Sequence, residues 1–417
     1  MSKRIVITCW GSHGDLFPYI GLALALKKRG HRPVVATMPL YRPNVEQEGL
    51  EFAAAGPQVD VTDLGLFERV MDPVKGSEVI IRELLLPKLH DTYAELERAV
   101  AGADFVVSHP IMYATPVLAE RKKLPWVSTT LAPMLFFSRS EPPVMPMMPR
   151  LNGVPLLGLW LARGMLTLAR RTTREWMTPV AALRAELGLP PGRHPLFEGQ
   201  FSPYGTLAMY SHLLATPQPD WPPNVISTGC VFYNGPEGLD ARLEEFLAAG
   251  PPPLVFTLGT SAVGAAGRFY HESAGAARQL GMRAVLLTGG IERNRPEGAL
   301  PEGVLLVDRA PHQRLFPHAA AVVHQAGAGT LGQALRSGKP MLAVPHGHDQ
   351  FDNAARATKL GVARTLFPQE YRAARVAQEL RQLLTPRYQR RAAEIATVVH
   401  REGGADGAAA AIEKLLG

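Results

Sequence analysis

Nearly continuous apolar runs of four to eight residues recur in both halves of this 417-residue chain, separated by longer stretches of helical periodicity. That alternation constrains the fold more than any other feature, because it is the pattern of parallel βαβ units. The first half carries "RIVITCW", "RPVVATM", "DFVVSH" and "PWVSTTLA", with helices expected at Phe17 to Arg29 and Tyr113 to Lys123. In the second half "PLVFTLG", "RAVLLTGG", "GVLLVD", "AAVVHQ" and "PMLAVPHG" alternate with helices expected at 268–281, 329–337 and 350–361. Strands this apolar are buried on both faces, as in a parallel sheet covered by helices. The fold class is therefore α/β, with two Rossmann-like doubly wound domains. Residues 1–216 are expected to form the first domain, 217–236 a linker, 237–395 the second domain and 396–417 a helical tail. The linker assignment rests on the Pro and Gly density of "TPQPDWPPNVISTGCVFYNGPEG", and the tail on an expected break at Gly403 and Gly404.

Composition removes several classes of function. Two cysteines, Cys9 and Cys230, are too few for a disulfide framework or a thiolate metal site, which points to a cytoplasmic chain. No Lys/Arg block resembles a nucleic-acid arm despite the net charge of +7, which favours an anionic ligand. The run "LNGVPLLGLWLA" ends at Arg163, well short of the roughly 20 residues that span a bilayer. Peripheral contact at the inner membrane surface, through Trp160 and the arginines 163, 170 and 171, stays open as an expectation.

Within this frame, "AAVVHQAGAGTLGQAL" spaces Gly327, Gly329 and Gly332 as G-x-G-x-x-G between a strand and a helix. Such a turn aims backbone N–H groups and a helix N-terminus at one point, so an anionic ligand is expected at Ala328, Gly329 and Thr330. A nicotinamide fingerprint belongs to the first βαβ unit of its domain, whereas this one follows about the fourth strand of the second half. His324 could donate to a diphosphate oxygen, and "PHGHDQFDN" puts Asp349 and Gln350 at the next strand's carboxyl end. A carboxylate beside an amide clamps vicinal hydroxyls. A diphosphate followed by a polyol describes a nucleotide sugar. In the first half, His13 and Asp15 follow the first strand and are the candidate general bases. Burial against an apolar acceptor is expected to raise the Asp15 pKa toward the operating range, and Asp15 is also read as the N-cap of the following helix, a role that can coexist with the first. His109, after "VVS", either orients that base or is an ordinary strand-end histidine. The Met-rich segment from Pro133 to Met177 suits an apolar ligand or plain core packing.

Together "GSHGDLFPYIGLALALKKRGH", "HQAGAGT" and "GHDQFDN" resemble the family 1 nucleotide-sugar glycosyltransferases of GT-B fold, in the bacterial branch with rhamnolipid rhamnosyltransferases, sterol glucosyltransferases and antibiotic glycosyltransferases. The resemblance implies two domains facing across a cleft, with the donor in the second and the acceptor in the first. It implies donor contacts from Gly11, Ser12, Thr260, Ser261, Arg309, Ala310, Gln313, His324, Gly327, Ala328, Gly329, Thr330, Asp349 and Gln350. Asp15 falls at the position of the catalytic base, and His109, Met112, Met134, Met145 and Met148 fall on the acceptor side. Plant members stack a Trp on the base; this chain has none at the matching "DRAPHQRLF", which leaves uracil or thymine open. The implied reaction is an inverting transfer without metal or other cofactor, moving glucose or rhamnose from a UDP- or dTDP-sugar to a hydrophobic hydroxylated acceptor. A sugar-nucleotide epimerase and a non-catalytic activator of glycosyltransferase type are the alternatives.

Overall fold

The computed structural model describes residues 1–147, 155–233 and 235–417. Its contacts divide the chain into two compact units: Met1–Thr62 with Lys75–Tyr233 and Glu402–Gly417, and Asp63–Val74 with Asn234–Arg401. The first unit holds a seven-stranded sheet of β1 (Arg4–Thr8), β2 (Arg32–Thr37), β3 (Glu51–Ala54), β4 (Phe105–Ser108), β5 (Trp126–Thr130), β6 (Thr206–Ala208) and β7 (Val225–Ser227). The second holds six strands: β8 (Leu254–Thr257), β9 (Ala284–Leu287), β10 (Val304–Val307), β11 (Ala321–His324), β12 (Met341–Ala343) and β13 (Ala363–Thr365). Every pairing in both sheets is parallel. The apolar runs are buried as expected of strands covered on both faces: Ile5, Val6, Ile7, Val322 and Val323 are wholly inaccessible.

The strand orders are β3-β2-β1-β4-β5-β6-β7 and β10-β9-β8-β11-β12-β13. In each sheet the order reverses once, beside β1 and β4 in the first and beside β8 and β11 in the second. At such a switch the connections leave on opposite faces and open a crevice beyond the strands' carboxyl ends, where open α/β sheets bind ligands.

Differences from the sequence reading fall on the short, polar or edge elements. The strands β3, β6, β7 and β13, three or four residues each, lie outside the apolar runs that mark the other strands. The segment expected as a linker, 217–236, contains β7, which completes the first sheet beside β6. The tail does break at the glycines, into helices Pro386–Val399 and Gly404–Leu416, with Gly404 at φ 52°. The last helix packs on the helix His13–Lys28, and Arg29 pairs with Glu413 at 2.8 Å. Among the described residues no helix is long and apolar enough to cross a membrane. Trp160, Leu161 and Leu168 nevertheless lie exposed on the helix Pro155–Trp176.

Glu402 fastens the tail to the first unit. Its buried carboxylate accepts from Ser211 Oγ at 2.7 Å and from the His212 backbone N–H at 3.1 Å, and lies 2.8 Å from His212 Nδ1. Truncation would strand those donors, at a cost of about 1–3 kcal/mol. Glu402→Ala should therefore lower the calorimetric melting temperature of the first unit by several degrees, with Glu402→Gln intermediate. An unchanged transition in Glu402→Ala would show that the carboxylate does not hold the tail.

Candidate active site

In the first unit, β1 runs into Gly11, Ser12 and the helix His13–Lys28, so this turn lies at the carboxyl edge beside the switch. Ser12 caps the helix, its Oγ accepting from the Gly14 N–H at 3.2 Å. The third helical residue is Asp15, whose Oδ2 accepts from the Ser12 N–H at 2.7 Å and the Ser12 hydroxyl at 3.0 Å. This is a capping box with aspartate in the acidic position, and the carboxylate sits at the positive end of the helix dipole. Gly11 makes room for it: at φ 136°, a Cβ there would lie 2.4 Å from Asp15 Oδ2.

The other oxygen, Oδ1, faces His109 Nε2 at 3.7 Å. His109 follows β4, the strand beside β1, and its Nδ1 accepts from the Ile111 N–H at 3.3 Å. That hydrogen bond assigns the neutral ring's proton to Nε2, which points at Asp15. The imidazole is buried, whereas the Asp15 side chain keeps 36% of its surface exposed. Burial pushes the Asp15 pKa up, but His109 and the two Ser12 hydrogen bonds outweigh it, and the carboxyl is held below its ordinary value. Without a ligand, the chain itself thus stabilises the carboxylate. His13, the other candidate base, packs edge-on against Phe17 and Tyr41, with ring centroids 5.3 and 4.9 Å away. Cys9, next to this turn, is buried and its thiol is pushed up to about 12, so it stays protonated.

On the expected acceptor side the placements diverge. Met112 is buried in the core, while Met134, on the turn Pro133–Phe136 after β5, and Met145 are half-buried. Met148 lies outside the described residues. The chain after β5 is anchored by the stack of Phe136 on Trp221, at 4.0 Å, and by Asp220, which accepts from Ser138 Oγ at 2.8 Å.

In the second unit three loops meet at the carboxyl edge of neighbouring strands β8, β11 and β12. Beyond β11 the backbone turns through Ala326 at φ 66°, a left-handed position that costs a non-glycine residue about 1–2 kcal/mol. The turn is held by the Ala326 N–H donating to His324 Nδ1 at 3.0 Å and by Asn353 Nδ2 donating to the Ala326 carbonyl at 3.0 Å. The helix Ala328–Ser337 then begins, with Gly327 as N-cap and no side-chain cap, leaving the first-turn N–H groups of Ala328, Gly329 and Thr330 available.

His324 does not reach this turn's open side, contrary to the expectation that it contacts a diphosphate. It is the last residue of a central strand and is fully buried; Nδ1 is taken by Ala326, Nε2 lies 3.4 Å from Met341 Sδ, and burial pushes the pKa down to about 3. Successive strand residues face opposite sides, and the next residue, Gln325, also buried, packs against the glycines of the two loops. Its amide packs so close to the loops that a Cβ at Gly259 or Gly327 would lie 2.3 or 2.9 Å from Nε2. Gln325 Oε1 is buried without a hydrogen-bond partner. The signal for Gln325 was its place one residue past a buried strand, where the alternation turns it toward the glycines.

The remaining expected contacts spread along the same rim. Thr260 and Ser261 follow β8, Thr260 exposed. Arg309 is exposed, and Ala310 and Gln313 are half-buried. His312, between them, stacks on Phe316 with centroids 4.4 Å apart, and burial pushes its pKa down to about 4. Asp349 Oδ2 accepts from Asn353 Nδ2 at 2.7 Å. Gln350 is buried, and its Oε1 accepts from the His346 and Gly347 N–H groups at 2.9 and 3.2 Å, so only its amide nitrogen remains for a ligand. His346 Nδ1 donates to the Val344 carbonyl at 2.8 Å, and burial pushes this histidine also to about 4. His312, His324 and His346 are therefore neutral near pH 7, so this rim carries no imidazolium charge from them.

Residues 5–135 match the glycosyltransferase family 28 N-terminal domain, and residues 285–412 the erythromycin biosynthesis protein CIII-like C-terminal domain. The chain is 32% identical to O-mycaminosyltylonolide 6-deoxyallosyltransferase of Streptomyces fradiae, over 99% of this chain and 97% of that protein. The chain belongs to the GT-B glycosyltransferases. The transferase is also 26% identical to sterol 3-beta-glucosyltransferase of Leptosphaeria maculans, over 86% of this chain but 25% of that longer protein. Its fold matches the crystal structure of glycosyltransferase VinC in complex with dTDP, with a TM-score of 0.69 and 21% identity over 99% of each chain.

Two outcomes follow from the Asp15 geometry. Gly11→Ala, which forces a Cβ against Oδ2, should reduce turnover at least about tenfold, equivalent to ~1.4 kcal/mol of barrier, with nucleotide affinity kept. Turnover equal to the parent's would show that the turn tolerates the displacement. Because the Asp15 pKa is lowered, its ionised form persists through the ordinary carboxylate range, and if Asp15 is the base kcat/KM should stay level until the pH falls below that range. His109→Gln removes the leading opposition to burial, so the acidic limb should move to higher pH. An unmoved limb would separate His109 from Asp15.

Proposed function

We propose that the transferase moves a hexose or deoxyhexose from a UDP- or dTDP-sugar to a hydroxyl of a hydrophobic small molecule, with inversion and without metal. The observation that carries this reading is the ionised Asp15 carboxylate, faced by His109 at 3.7 Å at the switch point of the first sheet. Asp15 takes the acceptor hydroxyl proton as that oxygen bonds to the anomeric carbon. The bond from that carbon to the diphosphate breaks on the opposite face, so one displacement inverts the centre. Docking an apolar acceptor strips water from the partly exposed carboxylate and raises its pKa, bringing it toward a useful base strength. His109 then stabilises the carboxylate's orientation through Nε2–H.

The leaving diphosphate is received by the N–H groups of Ala328, Gly329 and Thr330 and by the Gln325 amide, dipoles fixed before the charge develops. Asp349 and the Gln350 nitrogen hold sugar hydroxyls, and Thr260 and Ser261 add hydroxyls from the loop after β8. The acceptor class draws on two relatives, one named for a deoxyhexosyl transfer to O-mycaminosyltylonolide and one for sterol glucosylation. The donor class draws on the dTDP-bound structural neighbour.

Calorimetric titration without divalent metal should show micromolar binding of UDP or dTDP. Asp349→Ala should weaken the matching sugar nucleotide about tenfold while changing the free diphosphate by less than about twofold. Equal loss for both would remove Asp349 from the sugar. Asp15→Asn should bind donor normally yet lose turnover; activity within about threefold of the parent would remove Asp15 as the base.

A further inference from the structure

The second unit is completed by a piece of the first half of the chain. Asp63–Val74 leaves the first unit after Thr62 and rejoins it at Lys75, contributing the helix Leu64–Val70. The Asp63 carboxylate caps that helix by accepting from the Leu66 N–H at 2.9 Å. Phe67 lies on Gly264, in the turn Val263–Ala265 just past Thr260 and Ser261, so closely that a Cβ at 264 would come 2.8 Å from Phe67 Cβ. Four residues on, Met71 is 4% exposed within the core that holds Leu258, Ala262 and Val344. A Cβ at Gly347, two residues before Asp349, would lie 3.3 Å from the Met71 carbonyl oxygen and 3.4 Å from its terminal methyl. Arg293 ties the two partners together, reaching Glu68 at 3.0 Å and donating to the Gly264 carbonyl.

Sheet order gives these contacts their meaning. The loops touched by Phe67 and Met71 follow β8 and β12, the two neighbours of β11. Two strand spacings, roughly 10 Å, separate them, so the segment crosses the carboxyl edge over the strand that ends in the glycine turn. We propose that Asp63–Val74 is a strap that positions the donor-binding loops, with Phe67 and Met71 as positioning residues. This rests on the donor-site reading above. The loop after β8 has only one short turn of its own, and preordering it removes an entropy cost that donor binding would otherwise bear. By the same linkage, a bound donor stabilises the docked strap.

Arg69 is exposed within the strap and offers a tryptic site there. The test measures cleavage after Arg69 in the full chain with and without saturating UDP or dTDP, alongside calorimetric affinity for the same nucleotide. Nucleotide should slow this cleavage at least about threefold more than cleavage elsewhere. Phe67→Ala should weaken nucleotide binding and raise donor KM by about tenfold, corresponding to ~1.4 kcal/mol, while acceptor KM stays put and Phe67→Leu recovers most of the loss. A purely structural role would lower the folded fraction and leave both KM values unchanged. Gly264→Ala, which crowds Phe67 from the other side, should reproduce the donor effect. If the parent binds nucleotide but Arg69 cleavage is unprotected and Phe67→Ala binds normally, the strap is refuted while the donor site stands. Failure of the parent to bind either nucleotide would refute the donor site and the strap with it.

Discussion

Parallel pairing around a single reversal of strand order, repeated in each sheet, is the constraint on which the rest depends. With every strand parallel, all carboxyl ends share an edge, and the reversal parts the loops there. In the first sheet the reversal puts the turn after β1 beside that after β4, and thereby Asp15 beside His109. In the second it sets the loop after β8 against the turn after β11, with the Gln325 amide against Gly259. Neither pair is close in sequence.

The two units handle charge differently. The first keeps one carboxylate ionised at a helix N-terminus, where Ser12 and His109 oppose the cost of burial. Oδ2 is tied by Ser12, while Oδ1 lies on the His109 side. In the second unit His312, His324 and His346 are kept uncharged by burial, and the helix Ala328–Ser337 adds the positive end of its dipole.

Backbone constraints explain several residue choices that sequence motifs only label. Gly11 is needed because of Asp15, with both φ and space demanding it. Ala326 occupies a left-handed position that glycine would accept without strain, and Asn353 and His324 hold it there. Gly264 is different, since what it admits is Phe67, a side chain nearly two hundred residues earlier in the chain.

Much was legible in the sequence because burial on both faces writes a strand as an unbroken apolar run: β1, β2, β4, β5 and β8 through β12 all coincide with such runs. The glycine turn, the Asp15 position and the Asp349–Gln350 pair could also be read, since each is set by local backbone geometry at a strand's end. What the sequence could not give was anything decided by distant packing. Edge strands such as β7 and β13 are only partly buried, so no apolar run marks them. The inward turn of His324, the lowered pKa of Asp15, the seating of the last helix on the first unit and the docking of Asp63–Val74 on the second all arise from contacts across long separations. Local propensity and alternation are written residue by residue, whereas the partner of a buried side chain exists only once the sheets have closed around it.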